Sequence, residues 1–243
     1  MWGQIVKQLL RAPVHQAIAL LTCTVLCLWT GVAVSQDQHG AQSRDALDRM
    51  RNRDLQPDRV MDVIGLRQGM TVGEAGASYG YFTFKMSARV GAGGTVYAND
   101  IDPEALRTIE QRSASLKVGN VKTVLGEVAD PRFPRNDLDM IVVFDCLFEF
   151  SSQASWMQNA RKYLKPGGRL VIVDPDRSKM AFEHALSRRQ VHDFAKQAGY
   201  DVVPVDDAFL KTHMIVVLQP TAARVGRLSQ SDTSHLSPEL TSD

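Results

Sequence analysis

Cysteine is scarce: the 243 residues hold three, and two of these, Cys23 and Cys27, lie close to the amino terminus. That is too few for a disulfide scaffold. An excess of charge is missing as well. The 28 Lys and Arg face 27 Asp and Glu, a net charge of +1, so no basic surface advertises nucleic acid as a partner. No internal repeat of useful length is present. Hydrophobic residues at 44% and charged residues at 23% are ordinary globular values, which excludes a disordered or collagen-like chain. The length suits one α/β domain of about 200 residues, with some forty left over.

The most local absence is of acid. No Asp or Glu occurs from Met1 to Ser35, and the only Lys or Arg there are Lys7 and Arg11. Ala17 to Val34 (AIALLTCTVLCLWTGVAV) runs 18 residues without a charge. With small residues at Ala33 and Ser35, residues 1–35 read as an export signal cut before Gln36. The rival reading is an uncleaved anchor, because an apolar run of this length just suffices to cross a bilayer. Either brings residues 17–34 into membrane contact. A signal, or an anchor with its amino terminus inside, places the domain outside the cytoplasm, exported or periplasmic. Arg44, Arg49, Arg51 and Arg53 follow the run and outnumber Lys7 and Arg11, which favours the opposite, cytoplasm-facing topology. Without residues 1–35 the balance is 26 basic (28 less Lys7 and Arg11) against 27 acidic, and Cys146 stands alone with no intrachain disulfide open to it.

Residues 36–43 (QDQHGAQS) read as a polar linker, and residues 44–64 as two helical pieces broken at Pro57. Beyond them strands alternate with helices, the pattern of a mostly parallel sheet covered on both faces. Strands are expected over 70–75, 95–99, 121–125, 138–144, 169–173, 202–205 and 213–218. Helices are expected over 81–90, 103–116, about 154–164, and from a Ser187 cap to about Ala198. The run LDMIVVF, residues 138–144, is continuous enough for a buried central strand. Residues 44–218 are thus the expected domain, and the Ser- and Thr-rich residues 219–243 a disordered tail.

The informative stretch is TVGEAGASYGYFTFKMSARVGAGGTVYANDIDPEAL, residues 71–106. A strand ends in Glu74, turns through Gly76 and Gly80 and enters a helix, and the next strand ends in Asp100. Glycine at such a turn lets backbone approach a ligand closely. An acid at the tip of the second strand is placed to bond ribose hydroxyls. The segment resembles motif I of the class I S-adenosylmethionine-dependent methyltransferases, acid-x-Gly-x-Gly-x-Gly, with Ser78 in place of the middle glycine. LGEVADPRFP (125–134), LDMIVVFD (138–145) and YLKPGGRLVIVD (163–174) resemble later motifs of that family, in order. The resemblance covers roughly residues 55–218 and is nearest to the quinone-biosynthesis-like branch and its exported relatives.

The resemblance implies a doubly wound, seven-stranded Rossmann-like sheet with an antiparallel last strand. Its cofactor would be S-adenosylmethionine, held by Glu74, Gly76, Ser78, Gly80, Asp100 and Ile101, with Glu127 or Asp130 nearest the adenine. A nicotinamide site fits less well, because Glu74 precedes the turn and the Tyr81–Lys85 pair falls on the first helix. Methyl transfer from a sulfonium needs two partners positioned and, for some acceptors, a proton removed. Asp145, at the end of the fourth strand, would orient a small-molecule acceptor or take its proton, or else simply cap the next turn. His184 is the second candidate base, and His213 also matches a histidine position of the exported relatives. Phe148 stands where those relatives carry a tyrosine. The lone Cys146 argues against thiol-based arsenic chemistry. A non-catalytic module that binds S-adenosylmethionine or a related nucleoside is the alternative function.

Overall fold

The computed structural model describes residues 46–221. The expected signal or anchor, the linker, Arg44 and nearly all of the expected tail lie outside the described residues. Among the described residues no helix is long and apolar enough to cross a membrane.

The chain opens with α1 (46–55) and α2 (Pro57–Ile64), separated at Gln56, which adopts a left-handed backbone with φ 45° ahead of Pro57. Arg49, Arg51 and Arg53 all lie in α1. Then follow β1 (Thr71–Ala75), α3 (Tyr81–Val90), β2 (Thr95–Asp100), α4 (Pro103–Leu116), β3 (Val121–Leu125) and β4 (Leu138–Phe144). The second half holds α5 (Gln153–Ala160), β5 (Leu164–Pro175), α6 (Arg188–Gln197), β6 (Tyr200–Val203) and β7 (His213–Pro220).

Local chemistry explains the helix starts. Asp102 caps α4 by accepting from the Glu104 N–H at 2.8 Å, with Pro103 next in the first turn. Ser187 and Gln190 form a reciprocal capping box on α6.

The seven strands form one sheet in the order β3-β2-β1-β4-β5-β7-β6. Pairing is parallel from β3 to β5, and β7 runs antiparallel to both β5 and β6. This is the expected class, a doubly wound α/β sheet with an antiparallel last strand. One face packs on Leu55, Ile64, Phe82 and Met86 from α1–α3. The other packs on Trp156, Met157, Val191 and Ala195 from α5 and α6. The order reverses between β1 and β4, and a crevice opens there beyond the carboxyl ends of the strands.

Several boundaries differ from the sequence reading, among them β6, expected over 202–205 and found at Tyr200–Val203. The helix expected over 154–164 ends as α5 at Ala160 and closes in a 3-10 turn, Arg161–Tyr163. The Pro166-Gly167-Gly168 turn signal then lies inside extended backbone, because β5 already begins at Leu164 opposite Leu138. Gly168 runs so close to β4 that a Cβ there would sit 2.8 Å from the Leu138 carbonyl oxygen. At the other end, β7 continues past Leu218 to Pro220, paired with Tyr200, so the domain extends into the expected tail. Ladder bonds to β6 decide that boundary more than side-chain polarity does.

Candidate active site

The β1–α3 turn is built from left-handed backbone at Gly76 (φ 71°), Ser78 (φ 48°) and Gly80 (φ 83°). Gly76 has a second constraint: a Cβ there would overlap the Cys146 Sγ. Asp100 ties this turn to the next one. Its Oδ2 accepts from the Ser78 N–H at 2.8 Å, and its Oδ1 from the Asp102 N–H at 3.0 Å. A carboxylate oxygen has more than one acceptor direction, so Asp100 keeps capacity for a ligand hydroxyl.

Gly76, Ser78, Asp100 and Asp102 line a cavity of about 470 Å³, within the usual range of roughly 300–1,000 Å³ for small-ligand sites. Glu74, Gly76, Ser78, Asp100, Ile101 and Glu127 all border it, as does Asp145. Gly80 does not; it starts α3, where a Cβ would meet the Phe84 ring. Glu74 is 2% exposed and accepts from the Thr83 hydroxyl. Burial pushes its carboxyl up to about 8, against the Thr83 bond and with help from the Asp100 charge. No ion pair to Glu74 forms among the described residues.

The two acids offered for the adenine side separate. Glu127 borders the cavity and pairs with Arg132 at 2.7 Å. Asp130 borders no described cavity and serves as a structural tie. It accepts from the Tyr163 hydroxyl at 2.5 Å, Lys162 Nζ at 3.0 Å and the Arg132 N–H at 3.0 Å. Burial raises this carboxyl, but those bonds outweigh it and hold the group below its ordinary value.

The two candidate catalytic residues, Asp145 and His184, are not brought together. His184 is exposed, borders neither described cavity and packs on the Phe182 ring at 5.8 Å. The histidine that faces Asp145 is His213, with Nε2 3.4 Å from Asp145 Oδ1. The Thr212 hydroxyl lies 2.8 Å from His213 Nδ1. A tautomer with the proton on Nε2 satisfies both contacts: Thr212 donates to Nδ1 and Nε2–H donates to Asp145. Arg51 reaches Asp145 Oδ2 at 3.6 Å from α1 and lies over the Tyr81 ring. Arg51 carried no sequence signal, since nothing in the chain order links α1 to the end of β4. His213 had a weak one, its match to a histidine position of the exported relatives.

Asp145 does not cap the turn that follows it. Asp174 does that, wholly buried and accepting from the N–H groups of Cys146 (2.9 Å), Leu147 (3.3 Å) and Phe148 (3.1 Å). Burial pushes Asp174 up to about 7 despite these bonds. Asp145 is left free of that duty, with a left-handed backbone (φ 56°) that turns it toward the cavity. Burial, with the nearby Asp174 and Glu149 charges, pushes the Cys146 thiol far above its ordinary value, which disfavours the thiolate. The Tyr81–Lys85 pair is a local contact on α3, the ammonium 4.9 Å from the ring centre.

A family model described as a methyltransferase domain matches residues 66–211. The chain belongs to the class I S-adenosylmethionine-dependent methyltransferases. Among curated relatives of this methyltransferase, nocamycin O-methyltransferase of Saccharothrix syringae is 29% identical over 117 residues, 48% of this chain and 42% of that one. A ubiquinone/menaquinone biosynthesis C-methyltransferase of Idiomarina loihiensis is 29% identical over 136 residues, 56% of this chain and 52% of that one. The chain spans about half the length of the curated relatives it matches. Among solved structures, an S-adenosylmethionine-dependent methyltransferase from Aquifex aeolicus matches with TM-score 0.66 and 26% identity. That match covers 72% of this chain and 95% of that one. The geranyl diphosphate C-methyltransferase of Streptomyces coelicolor agrees in fold, with TM-score 0.59 and 14% identity over 71% of this chain and 82% of that one.

S-adenosylmethionine is the cofactor, and the residues present fit it. A buried acid without a cation faces the cavity at Glu74, and an acid with spare acceptor capacity stands at Asp100.

Proposed function

We propose that this methyltransferase transfers a methyl group from S-adenosylmethionine to a small-molecule acceptor. The observation that carries the reading is one cavity at the β1–β4 reversal, bordered by Glu74 and Asp100 on one side and by Asp145 on the other. Asp100 and Glu127 would hold the nucleoside, and Glu74 the positively charged end. Bound there, the cofactor supplies an activated methyl on a sulfonium sulfur. The chain's own contribution is to position both partners and to offer Asp145 as a proton acceptor, with His213 and Arg51 fixing its carboxylate.

Calorimetry of the full chain with S-adenosylmethionine and S-adenosylhomocysteine tests this. Both ligands should bind, and Asp100→Ala should weaken both at least about tenfold, the loss of a charged hydrogen-bond partner. Asp145→Asn should leave S-adenosylhomocysteine affinity intact while abolishing methyl transfer. If Asp145→Asn turns over like the parent, Asp145 has no role in the chemistry. Failure of both ligands to bind at millimolar concentration would sink the enzyme and the non-catalytic binding module together. In the same proposal residues 1–35 remain an export signal or a membrane anchor. Fractionation with amino-terminal sequencing separates the two.

A further inference from the structure

A second cavity, of about 420 Å³, adjoins the first and shares Arg51 and Asp145 with it. Its walls are of a different character. Leu47, Met50 and Leu55 come from α1, Phe148 from the turn after β4, and Met180 and Phe182 from the segment after β5. The Phe148 and Phe182 rings meet edge to face, with centroids 5.2 Å apart and planes at 90°. Arg51, Asp145, Thr212 and His213 form one linked polar group, and Asp54, exposed on α1, is the remaining charge. The segment carrying Met180 and Phe182 is held in place. Asp176 N–H donates to the Thr212 carbonyl at 2.9 Å, and Lys179 Nζ to the His213 carbonyl at 2.7 Å.

We infer that this second cavity is the acceptor chamber, and that it takes an apolar, ring-sized molecule presenting a phenolic or enolic hydroxyl to Asp145. The inference rests on the methyl-transfer reading and names the substrate class for it. Apolar walls supply affinity through area removed from water. The polar cluster lies where the two cavities meet, so an acceptor in one and a cofactor in the other are brought together at Asp145.

The charges select the nucleophile. A hydroxyl can donate to Asp145 while the Arg51 guanidinium attracts its developing negative oxygen. An aromatic amine, uncharged near neutral pH, is a weaker donor to Asp145, and its nitrogen would gain positive charge beside the same guanidinium as it is methylated. In the transfer the acceptor's O–H bond breaks, its proton passing to the Asp145 carboxylate. The O–CH3 bond forms as the S–CH3 bond breaks, and that electron pair stays on sulfur.

The test uses binding and not turnover. The full chain, with S-adenosylhomocysteine bound, is titrated with 1-naphthol and with 1-naphthylamine, followed by fluorescence and calorimetry. The wild type should take 1-naphthol more tightly than the amine and without displacing S-adenosylhomocysteine. Leu47→Glu, at a position 48% exposed on α1 and therefore tolerant of charge, should weaken 1-naphthol about tenfold. Met180→Trp, which adds bulk to the chamber from the segment after β5, should do the same. Both variants should keep S-adenosylhomocysteine affinity within about twofold, which also shows that they fold.

Four results overturn the chamber: no 1-naphthol binding, binding indifferent to both substitutions, equal binding of the amine, or competition with S-adenosylhomocysteine. Failure of S-adenosylhomocysteine to bind the wild type overturns the methyl-transfer reading, and the chamber's role with it.

Discussion

At the scale of single residues, Ser78 shows how the motif tolerates its substitution. The residue sits at φ 48°, where any side chain beyond glycine costs roughly 1–2 kcal/mol. It is exposed, so the hydroxymethyl group meets no wall, and its N–H still reaches Asp100. The turn therefore accepts serine at this position at the cost of slight strain. Ser78→Gly should raise the unfolding free energy by roughly 0.5–1 kcal/mol, after the extra entropy of glycine in the unfolded chain is deducted. Denaturant titration measures it, and cofactor affinity should not change. Destabilisation by Ser78→Gly would mean that the left-handed turn is not what the chain adopts. Gly76 has no such latitude, because the Cys146 side chain fills the space a Cβ would need.

At the scale of elements, the segment between β3 and β4 carries no regular structure yet borders the cofactor cavity through Glu127. Asn99, 4% exposed at the end of β2, holds it: Nδ2 donates to the Val124 carbonyl at 3.1 Å and the Pro131 carbonyl at 2.7 Å. Phe133 seats its ring against Gly73, where any Cβ would collide with it. Asn99→Ala leaves both carbonyls short of a donor and should cost about 1–3 kcal/mol. Hydrogen exchange should then show residues 126–134 opening while β4 and β5 stay protected. Uniform loss of protection across the sheet would instead make Asn99 a core residue with no special hold on this segment.

Elements are also where the sequence was most and least legible. LDMIVVF is buried on both faces, so its apolar run marks β4 at both ends, and the capping residues Asp102 and Ser187 mark helix starts just as directly. The β1–α3 turn and Asp100 were legible because their chemistry is local, a tight turn and an acid at a strand tip. The polar cluster was not. Arg51 and Asp145 lie 94 positions apart, and His213 is 68 beyond Asp145, so only the closed sheet brings them together. Asp174 looked like one more motif acid, yet it takes the capping task that sequence logic offered to Asp145.

At the scale of the whole molecule, the two carboxyls displaced upward by burial couple stability to pH. Glu74 titrates at about 8 against an ordinary 4.5, and Asp174 at about 7 against 3.8. Between those values the folded protein keeps protons that the unfolded chain has lost. Stability from these groups is therefore full below about pH 4 and falls as pH rises through about 7–8. The ligand-free protein should melt at a lower temperature near pH 8.5 than near pH 6, and Glu74→Gln should flatten that slope. A midpoint that rises over this range would contradict the burial of both acids. The sign also predicts linkage: a cationic ligand beside Glu74 favours its ionised form. Cofactor binding near pH 7 should then release a proton in the wild type and none through this group in Glu74→Gln, as calorimetry in buffers of different ionisation enthalpy would show.

The reversed direction of β7 decides where the protein can be held. Because the strand runs against β5, its first residue, His213, is delivered to the rim that carries the cavities, and its last, Pro220, to the opposite rim beside Tyr200. Thr221 therefore sits on the rim away from both cavities, whereas Ala46 sits next to Leu47, at the wall of the second cavity. The two ends of the described domain are unequal as attachment points: a bulky label fixed at Thr221 should preserve ligand access, and one fixed at Ala46 should obstruct it.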